Sequence, residues 1–171
     1  MVFTDKAREI FIVGLRNAHA MENQALSIMK PQESRIENYP QVLQRLRQHI
    51  GETEGQIQRL ETILESLGES HSTLKDTALS IAGTMAAMGH AVAGDEIVKN
   101  SLANFAFENY EIAAYNSLIT LAEAGGFASA RELLEQNLAE EEAMASWLEE
   151  NLPAVTLQFA ELKAEGYSAK I

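Results

Sequence analysis

Phe105-Ala106-Phe107-Glu108-Asn109-Tyr110-Glu111-Ile112-Ala113-Ala114-Tyr115 reads as helix, and the helix carries an anomaly. At about 100° per residue, Phe105, Glu108, Ile112, Tyr115 and Ile119 fall on one face, with Glu111 at its edge. Two carboxylates therefore lie within an apolar and aromatic stripe. An unpaired buried carboxylate costs several kcal/mol or takes up a proton. A bound cation would offset that cost; the alternative is a wet edge to the stripe.

The surrounding chain favours an all-α protein. Its 171 residues suffice for a single domain, 1–171, with a substantial core. Apolar residues make up 46%, too many for a disordered chain. Few aromatics, three prolines and abundant Ala, Leu, Glu and Gln point to helices. A net charge of −12 argues against nucleic acid or an anionic membrane as partner, and it suits cation binding. With no cysteine, disulfides, thiolate metal sites and cysteine nucleophiles are excluded. Met1 to Lys6 lacks a basic stretch followed by an apolar one, and no apolar run is long enough to span a bilayer. The expectation is a soluble cytoplasmic protein.

Four long helices are expected. The first runs from Thr4 or Asp5 to about Met29, stopped by Pro31, with Ile10, Gly14, Ala18, Met21, Ala25 and Met29 inward and Glu22 beside them. The second runs from Pro40 to Gly68 on a stripe of Leu43, Leu46, Ile50, Thr53, Ile57, Leu60, Leu64 and Leu67. His49, Glu52 and Gln56 line one side of that stripe; His49 and Glu52 have the spacing of a ligand pair, and the alternative is a hydrogen-bonded seam of all three. Lys75 to Val92 reads as a short helix in a long crossover. The third long helix starts at Asp95 and stops at Gly125-Gly126. The fourth runs from Ala128 to Asn151, with Leu134, Leu138, Glu141, Met144 and Leu148 inward and Glu140 on the flank. A separate last helix follows Pro153, over Ala154 to Ala164.

Each long helix thus places acid on or beside its inward stripe: Glu22, Glu52, Glu108 with Glu111, and Glu141 with Glu140. One inward acid per helix is the pattern of a carboxylate-bridged dinuclear metal site in a bundle core. Hard Fe or Mn ions prefer such oxygen donors, with an imidazole, here His49, as an extra ligand. Tyr115, one turn beyond Glu111, is either a hydrogen-bond donor to a carboxylate or an ordinary core residue.

The segments Asn17 to Ala25, His49-Ile50-Gly51-Glu52-Thr53 with Gln56, Asp95 to Lys99, Phe107-Glu108, Glu111-Ile112-Ala113, and Glu140-Glu141 with Met144 and Trp147-Leu148 carry a family resemblance. The chain resembles the YciE/YciF-type (DUF892) proteins of the ferritin-like superfamily, and YciE most. The resemblance implies a four-helix bundle with a long crossover and extra short helices, a homodimer and a role in bacterial stress. The superfamily pattern takes one Glu from each of two helices and Glu-x-x-His from each of the other two. Glu22 and Glu111 or Glu108 match the single acids, and Glu52 and Glu141 the paired ones. Gly55 and Met144 stand where the two histidines would be.

Two functions follow. One is a di-iron or di-manganese protein with oxidoreductase or ferroxidase activity, which needs the carboxylates of Glu22, Glu52, Glu111 and Glu141 to meet in one cavity. The other is a non-enzymatic stress protein, or a metal-sequestering dimer with a degenerate site, whose inward acids are paired or solvated. Arg45, Arg47, Arg59 and Lys99 are the available counterions, and most read as outward.

Overall fold

In the computed structural model, which describes residues 5–69 and 93–171, the chain forms four long helices and, among the described residues, no strand. They are α1 (Asp5–Glu33), α2 (Pro40–Ser66), α3 (Glu96–Gly125) and α4 (Ala128–Ala164). The short loops between α1 and α2 and between α3 and α4 make each pair an antiparallel hairpin. The hairpins pack side by side, α1 against α3 and α2 against α4. Arg35 near the end of α1 meets Glu96 at the start of α3, and Gln41 of α2 meets Gln158 of α4, so these neighbours are antiparallel as well. Arg8 near the start of α1 bonds the Leu67 carbonyl just past α2. The end of α2 and the start of α3 therefore lie at opposite ends of the bundle. The crossover helix expected over Lys75 to Val92 lies outside the described residues. No described helix is long and apolar enough to cross a membrane.

Two boundaries differ from the expectation. Pro31 does not stop α1 at Met29, and Pro153 does not divide the fourth helix, which runs unbroken to Ala164. A helical proline removes the bond to the carbonyl four residues earlier. Those carbonyls belong to Ser27 and Glu149, which like both prolines are exposed, so water can replace the missing donor. The glycine stop of α3 is as expected: Gly126 has φ 74°, a left-handed conformation that a glycine adopts without side-chain strain.

The core registers are also shifted from the stripes anticipated above. On α3, from Glu108 to the helix end, the buried positions are Glu108, Glu111, Tyr115, Leu118 and Ala122, so Glu111 is central and Ile112 and Ile119 are half-buried. On α2 the inner line is Val42, Leu46, His49, Thr53, Gln56, Leu60 and Ile63, with Arg45 and Leu64 buried beside it and Ile50 and Ile57 at the flank. Both follow alternating steps of three and four, the repeat of helices that wrap one another. On α1, Phe11 and Leu15 are inside while Ile10 is half-exposed.

The core divides into three layers. One apolar cluster joins Phe11, Leu15, Leu60, Leu64, Leu118 and Leu134. Another joins Met29, Tyr39, Leu46, Ile97 and Val155. Between them lies a polar layer of Glu22, His49, Gln56, Glu108, Glu111, Asn137 and Glu141, all buried.

Candidate metal centre

Four helices contribute to the polar layer. From α1 comes Glu22, which accepts a hydrogen bond from the Tyr115 hydroxyl on α3. From α2 comes His49, whose Nε2 lies 3.2 Å from Glu108 Oε2 on α3 and 3.5 Å from Glu141 Oε2 on α4. His49, Glu108 and Glu141 each offer a ligand atom within 4.8 Å of the others, close enough to hold one metal ion. Glu111 completes the set from α3, 1% exposed and with neither oxygen bonded.

The fit to a cation can be judged from what these groups lack. Glu22 Oε2, both oxygens of Glu111 and both of Glu141 are buried without a hydrogen-bond partner. A buried acceptor left unsatisfied costs about 1–3 kcal/mol, and more when charged. Burial pushes the Glu22 carboxyl up to about 8, although the bond from Tyr115 pulls it down. Burial, with repulsion from Glu22 and Glu108, pushes Glu141 up to about 12. Burial and the same neighbouring acids raise Glu111 well above the ordinary carboxylate range. In the metal-free protein these groups therefore retain protons that a divalent ion would displace. Four oxygen-donor side chains and one imidazole form a hard donor set, suited to Fe or Mn, and the residues fit such a group.

Glu52 has a different role from the other acids. Its Oε2 lies 2.9 Å from His49 Nδ1, and it also accepts bonds from Arg45 and Gln48. Burial opposes its charge, but these donors outweigh burial and hold the Glu52 carboxyl down at about 2. Burial also opposes the charge of His49, yet the carboxylates of Glu108 and Glu52 raise the imidazole to about 9. Glu52 thus fixes the ring so that Nε2 faces the cavity, an arrangement widely used behind metal-ligating histidines. Of the four carboxylates expected to meet, Glu141 joins His49 and Glu108, while Glu22 and Glu111 are near enough to repel Glu141 and each other; Glu52 instead stands behind His49.

Glu140 is not brought into the cavity. It accepts a bond from Arg59, whose Nε also donates to Asn137. Of the four candidate counterions, Arg45 is buried and Arg59 half-buried, and they anchor Glu52 and Glu140. A Cβ on Gly55, one of the two positions where the sequence resemblance led one to expect histidine, would meet the Arg59 guanidinium at 3.6 Å. Met144, at the other, is buried. Asn137, missed by sequence reasoning, donates to the Tyr115 hydroxyl at 3.0 Å and to the Gln56 carbonyl at 3.4 Å. Its only signal was position, one turn before Glu141. His19 pairs with Glu61 on the outer seam between α1 and α2, away from the cavity.

An antiparallel four-helix bundle with a buried carboxylate–imidazole layer defines the class. The chain belongs to the family described as "Domain of unknown function (DUF892)", whose profile matches residues 6–161. It is 31% identical over 143 residues to protein YciF of Escherichia coli K12, covering 79% of this chain and 83% of that protein. The crystal structure of that E. coli stress protein superposes with a TM-score of 0.73 at 28% identity, over 85% of this chain and 94% of that one. A protein of Xanthomonas campestris pv. campestris superposes with a TM-score of 0.77 at 30% identity, over 93% and 99% of the two chains.

Proposed function

We propose that this chain is a bacterial stress-associated protein of ferritin-like type whose polar layer binds a dinuclear, carboxylate-bridged iron or manganese centre. The observation that carries this reading is the set of buried carboxylate oxygens on Glu22, Glu111 and Glu141 that no protein donor satisfies. Bound there, Fe or Mn would supply redox chemistry with dioxygen or peroxide, of oxidoreductase or ferroxidase type. The chain's own part is to present Glu22, Glu108, Glu111, Glu141 and His49 to the metal. Glu52 orients His49, Tyr115 holds one oxygen of Glu22, and the two flanking apolar clusters exclude bulk water. A homodimer, a cytoplasmic location and a nearer kinship to YciE than to YciF belong to the same reading.

The second reading, a non-enzymatic stress protein with a degenerate site, draws support from the pairing already present. His49 sits against Glu52, Glu108 and Glu141, and Glu22 against Tyr115, so protons and one imidazolium neutralise part of the layer. Elemental analysis separates the two. Protein purified without added metal or chelator is compared with a Glu111→Ala variant. About two Fe or Mn ions per chain, lost in the variant, are expected. No bound metal, and none taken up on reconstitution, would overturn the first reading.

A further inference from the structure

Gln56 is fully buried at 0% exposure, and neither atom of its amide has a hydrogen-bond partner. A buried amide without partners is costly, and such a group is normally satisfied by protein, water or ligand. Its surroundings are acidic: the amide faces Glu141 and lowers that carboxyl's pKa as a hydrogen-bonding neighbour, but at a separation or angle outside good hydrogen-bond geometry, so neither group is fully satisfied. Gln56 follows His49 by two helical turns on the same face of α2. The Asn137 amide joins the Gln56 backbone carbonyl to the Tyr115 hydroxyl, and Tyr115 bonds Glu22. Glu141 is therefore flanked by two side chains of α2. His49 and Glu108 lie toward one end of the layer, and Gln56 and Tyr115 toward the other.

We propose that Gln56 is a metal ligand, its amide oxygen holding the second ion of the cavity at the end opposite His49. The assignment rests on the dinuclear reading above and deepens it. The Gln56 amide takes the place on α2 of the imidazole expected at Gly55: a neutral, hard oxygen donor where a nitrogen donor would otherwise serve. The two ends of the site are then unequal. The His49 end offers nitrogen and oxygen; the Gln56 end offers oxygen only, and so discriminates less against Mn(II) relative to Co(II) and Zn(II) than the nitrogen-bearing end does. The amide nitrogen, directed into the same acidic layer, is a donor for a carboxylate that the metal leaves with a free oxygen.

The test is equilibrium titration of the metal-free chain with Mn(II) and with Co(II), comparing wild type with Gln56→Leu, Gln56→Glu and Gln56→His. Helical circular dichroism confirms that each variant folds, and Gln56→Glu and Gln56→His carry the test if the leucine variant does not. Wild type is expected to bind about two Mn(II) ions. Gln56→Leu should keep one and bind the other at least ~10-fold more weakly, while Gln56→Glu keeps both. Gln56→His should shift the preference of that one ion toward Co(II) and change the Co(II) visible spectrum, which a packing role would not do. Unchanged Mn(II) affinities in Gln56→Leu, or an unchanged Co(II) spectrum and preference in Gln56→His, would overturn the assignment while leaving the dinuclear reading intact. Failure of wild type to bind any metal would overturn the dinuclear reading, and the Gln56 assignment with it.

Discussion

Glu52 and His49 meet at 2.9 Å, Oε2 to Nδ1, one turn apart on α2. The contact turns an acid that reads as a metal ligand into the group that aims one. Glu52 is held in turn by Arg45 and Gln48, so the orientation of Nε2 is fixed from the surface inward.

Replacing Glu52 with glutamine removes the charge behind the imidazole while keeping a similar shape. The His49 pKa, followed by NMR, should fall from about 9 because one of its two stabilising carboxylates is gone. Metal affinity should drop by about 10–100-fold, the usual consequence of losing such a partner. An unchanged His49 titration would show that the ring does not depend on Glu52.

The metal-free protein should lose stability as pH rises. On folding, the Glu22 carboxyl goes from 4.5 to about 8 and the His49 imidazole from 6.5 to about 9. A raised pKa contributes stability that is complete below the unfolded value and lost as pH climbs through the folded one. Both groups therefore act in the same direction, across the interval from 4.5 to about 9. Glu52, lowered from 4.5 to about 2, acts oppositely, and its contribution is lost only as pH falls through that lower window. Thermal melts without metal should give the highest Tm near about pH 5–6 and a lower one at about pH 9. Saturating Mn(II) should flatten that decline, since metal then replaces the protons. A metal-free Tm that rises across this range would contradict the assignment.

Glu111→Gln should separate folding from binding. Without metal, Glu111 is held in its neutral form by burial, and an amide of the same shape imitates it. The metal-free variant should match or exceed the wild-type Tm at neutral pH, yet lose metal. Loss of both stability and metal would instead mean that the carboxylate is needed by the fold itself.

Tyr115→Phe should weaken the fold by about 1–3 kcal/mol in urea denaturation, because it leaves Glu22 Oε1 without its donor and Asn137 without one acceptor. The Glu22 pKa should rise further, since the bond from Tyr115 is what lowers it. A change below about 0.5 kcal/mol, typical of a surface substitution, would show that water takes over the role of the hydroxyl.

The four long helices, the acid on each, and the anomaly of Glu108 and Glu111 were legible in the sequence, because helical periodicity and glycine stops are local properties. Register was not. The expected and the observed stripes both step by three and four, but the buried one is rotated by a fraction of a turn, so that Glu111, His49 and Gln56 replace Ile112, Ile50 and Ile57 inside, a phase set by the facing helices. Nor could spacing alone tell Glu52 from Glu141, or Glu140 from either. Glu52 and Glu140 have arginines within reach and turn toward them, while Glu141 faces only other acids, one imidazole and an amide. Helical periodicity alone put an acid on or beside the inward stripe of each long helix. Tertiary packing decided which of them face one another, because a carboxylate's role depends on the charges brought near it from the other three helices.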